Sequence, residues 1–271
     1  MPAARLDVLE KIKELEKKEE FDQHLNPIDY DIVLPIDNFN YIKRGFEKLK
    51  IFFQNTFIVK PYTFYLNHKV TKTKVFGRKN LKGIKSAIVT CNHVFMFDCL
   101  VAKHGLRGHK LRITAADFNN RKGFLGEMMR AGGLMPFSPK YENMKRFNHA
   151  MDYFLKKNHY VMFYPEQAMW YMYDKPRPYK NGAFHYAVKH DVPIIPMFIT
   201  YRNSGKFDES GMEDKYFTLH IMEPIFSDTK LNNKENVNYM REKNYEMCCK
   251  KYFEVYGKKP EYQTKDYEGE I

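Results

Sequence analysis

A chain of 271 residues with 44% hydrophobic and 16% aromatic side chains is long enough for one large core and too apolar for disorder. Four cysteines, Cys91, Cys99, Cys248 and Cys249, do not make a disulfide framework at this size, which points to a reduced, intracellular protein. The net charge of +12 is uneven: residues 1–39 carry ten acidic against five basic side chains, whereas from Asn40 to Lys85 twelve basic residues face Glu47 alone. Such a stretch attracts an anionic partner.

In chain order, "RLDVLEKIKELEKKEEF" spaces Val8, Ile12 and Leu15 for an N-terminal helix. "NPIDYDIVLPIDN", with Pro27 and Pro35, reads as an extended linker. Ile42, Phe46, Leu49, Phe53 and Phe57 then form an apolar stripe with lysines on the other faces, a basic amphipathic helix that Pro61 should stop. From Ser86 the texture changes. "SAIVT", "LRITAA", "YVMFY", "VPIIPMFIT" and "YFTLHIM" read as strands, alternating with helical stretches near 97–106, 122–131, 141–157, 182–190 and 234–256. The alternation predicts an α/β fold, a mixed central sheet flanked by helices. We divide the chain into a helix and linker over 1–40, a basic amphipathic segment over 41–66 and the α/β domain over 67–271. No leader with a cationic start and apolar run is evident. The most apolar window, broken by Gln54, Asn55, Lys60 and Pro61, falls short of the roughly 18 to 20 apolar residues that a spanning helix needs.

"CNHVFMFDC" (91–99) pairs His93 with Asp98 across Val94, Phe95, Met96 and Phe97. Neither a helix nor a strand brings residues five apart together. A chain reversal does, with His93 just past a strand and Asp98 in the first turn of a helix, where a carboxylate suits the positive end of the dipole. A histidine so held is a candidate general base. A zinc site built from Cys91, His93, Asp98 and Cys99 is disfavoured, because no second spaced pair follows and adjacent Cys248 and Cys249 chelate poorly; no metal is expected. Downstream, "YVMFYPEQAMW" ends a strand at Pro165 and Glu166, where open α/β sheets place ligands. Arg177 and Lys180 precede Gly182 at a helix start suited to a phosphate.

Together these stretches resemble the glycerolipid acyltransferase family, which includes the 1-acylglycerol-3-phosphate acyltransferases. "NHVFMFD" matches its H-x4-D block, "GGLMPFSPK" its second block, "YPEQAMW" its acidic P-E-G-T-R block, "VPIIPMF" its fourth, and "YKNGAF" its K-x-G-A helix start. Order and spacing agree over roughly 85–200. The resemblance implies transfer of an acyl group from acyl-CoA or acyl carrier protein to a lysophospholipid hydroxyl, without cofactor, at an anionic membrane surface on its cytoplasmic side, by a peripheral or monotopic protein. His93 would be the base and Asp98 its orienter. Asn92, Lys140, Glu166, Gln167, Arg177, Lys180 and Gly182 would contact substrate. Two departures stand out: Ser138, Pro139 and Lys140 replace the usual phosphate-gripping arginine, and Gln167 to Trp170 replace Gly-Thr-Arg. A lysine lacks the bidentate fork of arginine. Nucleic acid is not an expected partner, since no recognition module is present. The competing readings are a non-catalytic binder of anionic lipid and a thioesterase-like hydrolase.

Overall fold

The computed structural model describes residues 2–26, 39–209 and 211–262. The expected linker, from Pro27 to Asn38, lies outside them. Among the described residues seven strands form one sheet in the order β1-β7-β6-β2-β5-β3-β4. They are β1 (Lys74–Phe76), β2 (Ala87–Thr90), β3 (Lys110–Ala116), β4 (Leu134–Phe137), β5 (His159–Phe163), β6 (Ile194–Phe207) and β7 (Glu213–Ile221). Every pairing is parallel except β6 with β7, so the sheet is mixed as expected.

Side chains of the central strands alternate between two buried faces. Ala87, Val89 and Met162 pack on Val101 and Ala102 of α4 (Asp98–Gly105). Ile88, Val161 and Ile194 pack on the other face against α6 (Tyr141–Lys156), α7 (Gly182–Lys189) and α8 (Asn233–Tyr256). Asn244 of α8 donates to the Thr90 hydroxyl (2.6 Å), fixing that helix beside the end of β2.

Sequence periodicity gave five of the strands and missed β1 and β4. The first is three residues long, and β4 carries Pro136, which argues against a strand unless it lies at an edge, where β4 indeed sits. The N-terminal helix is α1 (Pro2–Lys17); its Ile12 and Leu15 are buried with Leu25, Trp170 and Tyr173.

The basic amphipathic helix starts later and ends later than its sequence suggests. α2 (Gly45–Gln54) runs through a π-helical turn (Asn55–Val59) into α3 (Lys60–Tyr65) and a second π-helical turn (Leu66–Val70). Pro61 does not stop it. The first π turn links the Lys60 amide to the Asn55 carbonyl, and Pro61 opens the next α-helical segment, where its missing N–H is not needed. Val59, Thr63, Leu66 and Asn67 form the buried face, and Asn67 donates to the Leu100 carbonyl of α4 (3.2 Å). Of the expected stripe, Phe46, Leu49, Phe53 and Phe57 are exposed, whereas Ile42 precedes the helix and packs on the main core. Beside them α5 (Gly123–Ala131) exposes Phe124 and Leu125, joined to α2 through Glu127, which meets Lys50 and Gln54. No helix among the described residues is long and apolar enough to cross a membrane.

Three histidines away from the site, His104, His159 and His220, are held at a pKa of about 4, in each case chiefly by burial, with Arg78, Arg112 and Lys251 respectively adding repulsion. Between pH 6.5 and 4 the unfolded chain therefore takes up protons that the fold refuses, so stability is lost as pH falls through that window and is flat above it with respect to these groups. The melting temperature should drop steadily from pH 6.5 to 4, and replacing His220 by Gln should shallow that slope.

Candidate active site

β2 and β5 are adjacent and parallel, with Thr90 opposite Phe163, so the loops that follow them leave one edge of the sheet side by side. The chain from β2 turns to α4 on one face, and the chain from β5 proceeds to α7 on the other. A crevice opens where such connections diverge.

The first loop folds around one carboxylate. Asp98 opens α4 and is 1% exposed. Its Oδ2 accepts from His93 Nδ1 (2.8 Å) and from the backbone N–H groups of Val94 (2.9 Å) and Phe95 (3.2 Å), and its Oδ1 accepts from the Tyr164 hydroxyl. The expected reversal between His93 and Asp98 is thus present, closed by the two amides of the intervening residues. With Nδ1 donating to a carboxylate, the neutral imidazole keeps its lone pair on Nε2, and among the described residues no group hydrogen-bonds to that atom. The His93 ring lies flat on Tyr164 (3.9 Å between centroids), whose phenol is pushed well above its usual range by burial and by Asp98, so it remains a donor. Phe95 and Phe97 of the spacer pack with Val59, Leu66 and Leu100, tying this loop to the amphipathic helix.

The second loop supplies a buried ion pair behind the first. Glu166 Oε2 accepts from the His93 backbone N–H (3.2 Å) and from Arg177 (2.6 Å), and its Oε1 accepts from the Arg177 backbone N–H (3.0 Å). Arg177 also donates to the carbonyls of His93, Phe21 and Ala168 and lies over the Trp170 ring. Its side chain is 0% exposed. Arg177, expected to contact phosphate, and Glu166, expected to contact the acceptor, are both turned fully toward protein, where their ion pair braces the His93 backbone. Asn92 is likewise committed: its amide both donates to and accepts from the Ile199 backbone (3.0 and 2.8 Å), which clamps β2 to β6.

The remaining expected residues are more open. Gln167 is exposed and left-handed (φ +65°), a conformation that the glycine of the family's block would adopt without strain. Lys180 is half exposed and pairs with the more solvated Asp22 (3.1 Å). Gly182 begins α7 with open space where a Cβ would stand, so close packing within the chain does not require a glycine there. Lys140 stands at the N-terminus of α6, just past edge strand β4, three strands and about 14 Å across the sheet from β2.

Sequence reasoning missed two features. Tyr164 was visible as the residue that ends "YVMFY", two positions before Glu166, but nothing marked it as a donor to Asp98. The other is the segment after α1. Leu25 pairs with Trp170, donating to the Met169 carbonyl (2.7 Å) and accepting from Tyr171 (3.0 Å), and the Trp170 indole donates to the Gln23 carbonyl (2.8 Å). The residues that replace Gly-Thr-Arg thus anchor an N-terminal strap.

The H-x4-D loop and the Pro-Glu block thus stand at neighbouring strand ends of a mixed α/β sheet. The family described as Acyltransferase matches residues 72–200. Residues 72–200 form an acyltransferase domain of that family, and the protein is an acyltransferase. Among solved structures, the 1-acyl-sn-glycerophosphate (LPA) acyltransferase PlsC from Thermotoga maritima is similar at 17% identity and a TM-score of 0.45, over 74% of this chain and 88% of that one. No curated protein matches.

Because Arg177 neutralises a carboxylate with no access to water, Arg177→Ala should cost about 3–5 kcal/mol by leaving that charge unpaired. Chemical denaturation of Arg177→Ala, set against Arg177→Met combined with Glu166→Leu, checks this: the double variant should recover a large part of the loss.

Proposed function

We propose that the protein moves a fatty acyl group from acyl-CoA or acyl carrier protein to the hydroxyl of a lysophospholipid, 1-acyl-sn-glycerol-3-phosphate giving phosphatidic acid, with His93 and Asp98 as a general-base dyad. The observation that carries this reading is the 2.8 Å bond from His93 Nδ1 to a buried Asp98, which leaves Nε2 without a hydrogen-bond partner among the described residues. His93 Nε2 takes the acceptor's hydroxyl proton as the oxygen attacks the thioester carbonyl carbon. Asp98 stabilises the imidazolium so formed. Collapse breaks the C–S bond, and His93 returns the proton to the departing thiolate. Glu166 acts through Arg177 and the His93 backbone, holding the base in place. Lys140 and Lys180 are the cations of the expected set that reach solvent, and they take over the phosphate contact from Arg177.

The helix over 45–70 is the proposed membrane contact. Phe46 is 82% and Phe57 67% exposed, and an apolar ridge of this kind on two adjoining helices marks an interaction surface. Lys43 already pairs with Glu47 and Lys50 with Glu127. Arg44 and Lys48 remain for anionic headgroups, each worth about 1 kcal/mol near the surface at physiological salt. The phenylalanines add a term that salt does not screen.

Labelled acyl-CoA and acyl carrier protein, offered with a panel of acceptors and read by lipid mass analysis, test the activity. A single acylated phospholipid is expected, and His93→Ala should reduce its formation about 10²- to 10⁴-fold in a folded protein. Free fatty acid released without acceptor would make the protein a hydrolase, and lipid binding with no turnover would make it a binding protein. For the membrane contact, Phe53→Asp with Phe57→Asp should release a still folded protein from anionic vesicles. Unchanged sedimentation, or unfolding, would contradict it.

A further inference from the structure

The N-terminal strap places a second histidine beside His93. His24 lies between two residues tied to the segment after Glu166: Gln23 accepts from the Trp170 indole (2.8 Å) and Leu25 donates to the Met169 carbonyl (2.7 Å). Its own Nδ1 accepts from the Met169 backbone N–H (3.2 Å). That bond fixes the tautomer, since a ring nitrogen that accepts cannot carry the proton, so in the neutral ring the hydrogen sits on Nε2. The His24 ring stands edge-on to His93, 6.1 Å between centroids. Part of it reaches solvent, and among the described residues neither ring has a hydrogen-bond partner on Nε2.

We propose that the strap completes the active site by supplying His24 as a neutral hydrogen-bond donor to the acyl carbonyl oxygen. This rests on the reading of His93 as base. As His93 takes the hydroxyl proton and the acceptor oxygen bonds to the thioester carbon, the C=O π pair moves onto the carbonyl oxygen. The His24 Nε2–H meets that charge. When the C–S bond breaks, the pair returns to the carbonyl, the proton goes from His93 to sulfur, and His24 ends unchanged. A donor held in place before charge develops is worth far more than one in water. A neutral one also leaves the neighbouring base able to accept a proton, which a cation there would oppose. The surroundings keep His24 in that state: partial burial, followed by repulsion from His93 and Arg177, lowers its pKa to about 4. His24 lies outside residues 72–200, the segment that matches the family.

The test compares His24→Ala, His24→Gln and His93→Ala in the full chain, with the donor and acceptor that the wild type uses. His24→Ala should lower kcat about 10²- to 10³-fold, the effect of one such donor, with both KM values within about threefold. His24→Gln, whose amide can donate, should recover at least tenfold of that loss. Neither should alter the pH dependence of kcat above pH 5, because His24 does not titrate there. A purely structural role would instead lower the melting temperature, raise KM, and treat Ala and Gln alike. Wild-type kcat in folded His24→Ala, or equal losses in both variants, overturns the inference. If His93→Ala stays active, it is the base assignment that fails; if His93→Ala is inactive while His24→Ala is not, the donor role alone fails.

Discussion

One carboxylate with almost no access to water organises the site. Asp98 accepts four hydrogen bonds, from an imidazole, two successive backbone amides and a phenol. A buried carboxylate is tolerable only when so compensated. That requirement sets the loop's path: Val94 and Phe95 must turn their N–H groups inward, which places His93 above Asp98 and sends the Phe95 and Phe97 rings outward onto the amphipathic helix. Position at the first turn of α4 adds the favourable end of the helix dipole. Loop shape, tautomer of His93 and docking of the 45–70 helix are consequences of the same four bonds.

A second buried charge stabilises the first arrangement from behind. Glu166 and Arg177 neutralise each other at 2.6 Å, and both reach the His93 backbone. The guanidinium also holds the carbonyls of Phe21 and Ala168, so the N-terminal strap, the acidic block and His93 share one hydrogen-bonded unit. Here the departure from the family's Gly-Thr-Arg has a structural meaning. Ala168, Met169 and Trp170 are buried because the strap lies on them.

Much of this was legible in the sequence, and the parts that were not share a cause. Strands β2, β3, β5, β6 and β7 announced themselves as apolar runs, and the pairing of His93 with Asp98 followed from the failure of either regular element to join residues five apart. Local signals stop there. Whether a polar side chain faces substrate or protein depends on what packs over it, and the cover for Arg177 comes from residues more than 150 positions away, near Phe21. Asn92 was drawn to the site by its neighbours, whereas the distant Ile199 backbone claims it. The same holds for His24: an unremarkable residue in an acidic, polar stretch becomes a neighbour of His93 only through the pairing of Leu25 with Trp170. Pro61 misled for a different reason, since a π turn can absorb a missing N–H that an unbroken α-helix cannot.

The most direct test of this account is turnover in Asp98→Asn, measured on folded protein against the wild type across pH. An amide nitrogen cannot accept the bonds that a carboxylate oxygen accepts, and it supports neither the tautomer nor the imidazolium that the proposed base requires. The account predicts a loss of at least about 10²-fold in kcat together with a lower melting temperature. A folded Asp98→Asn protein that turns over like the wild type would contradict it.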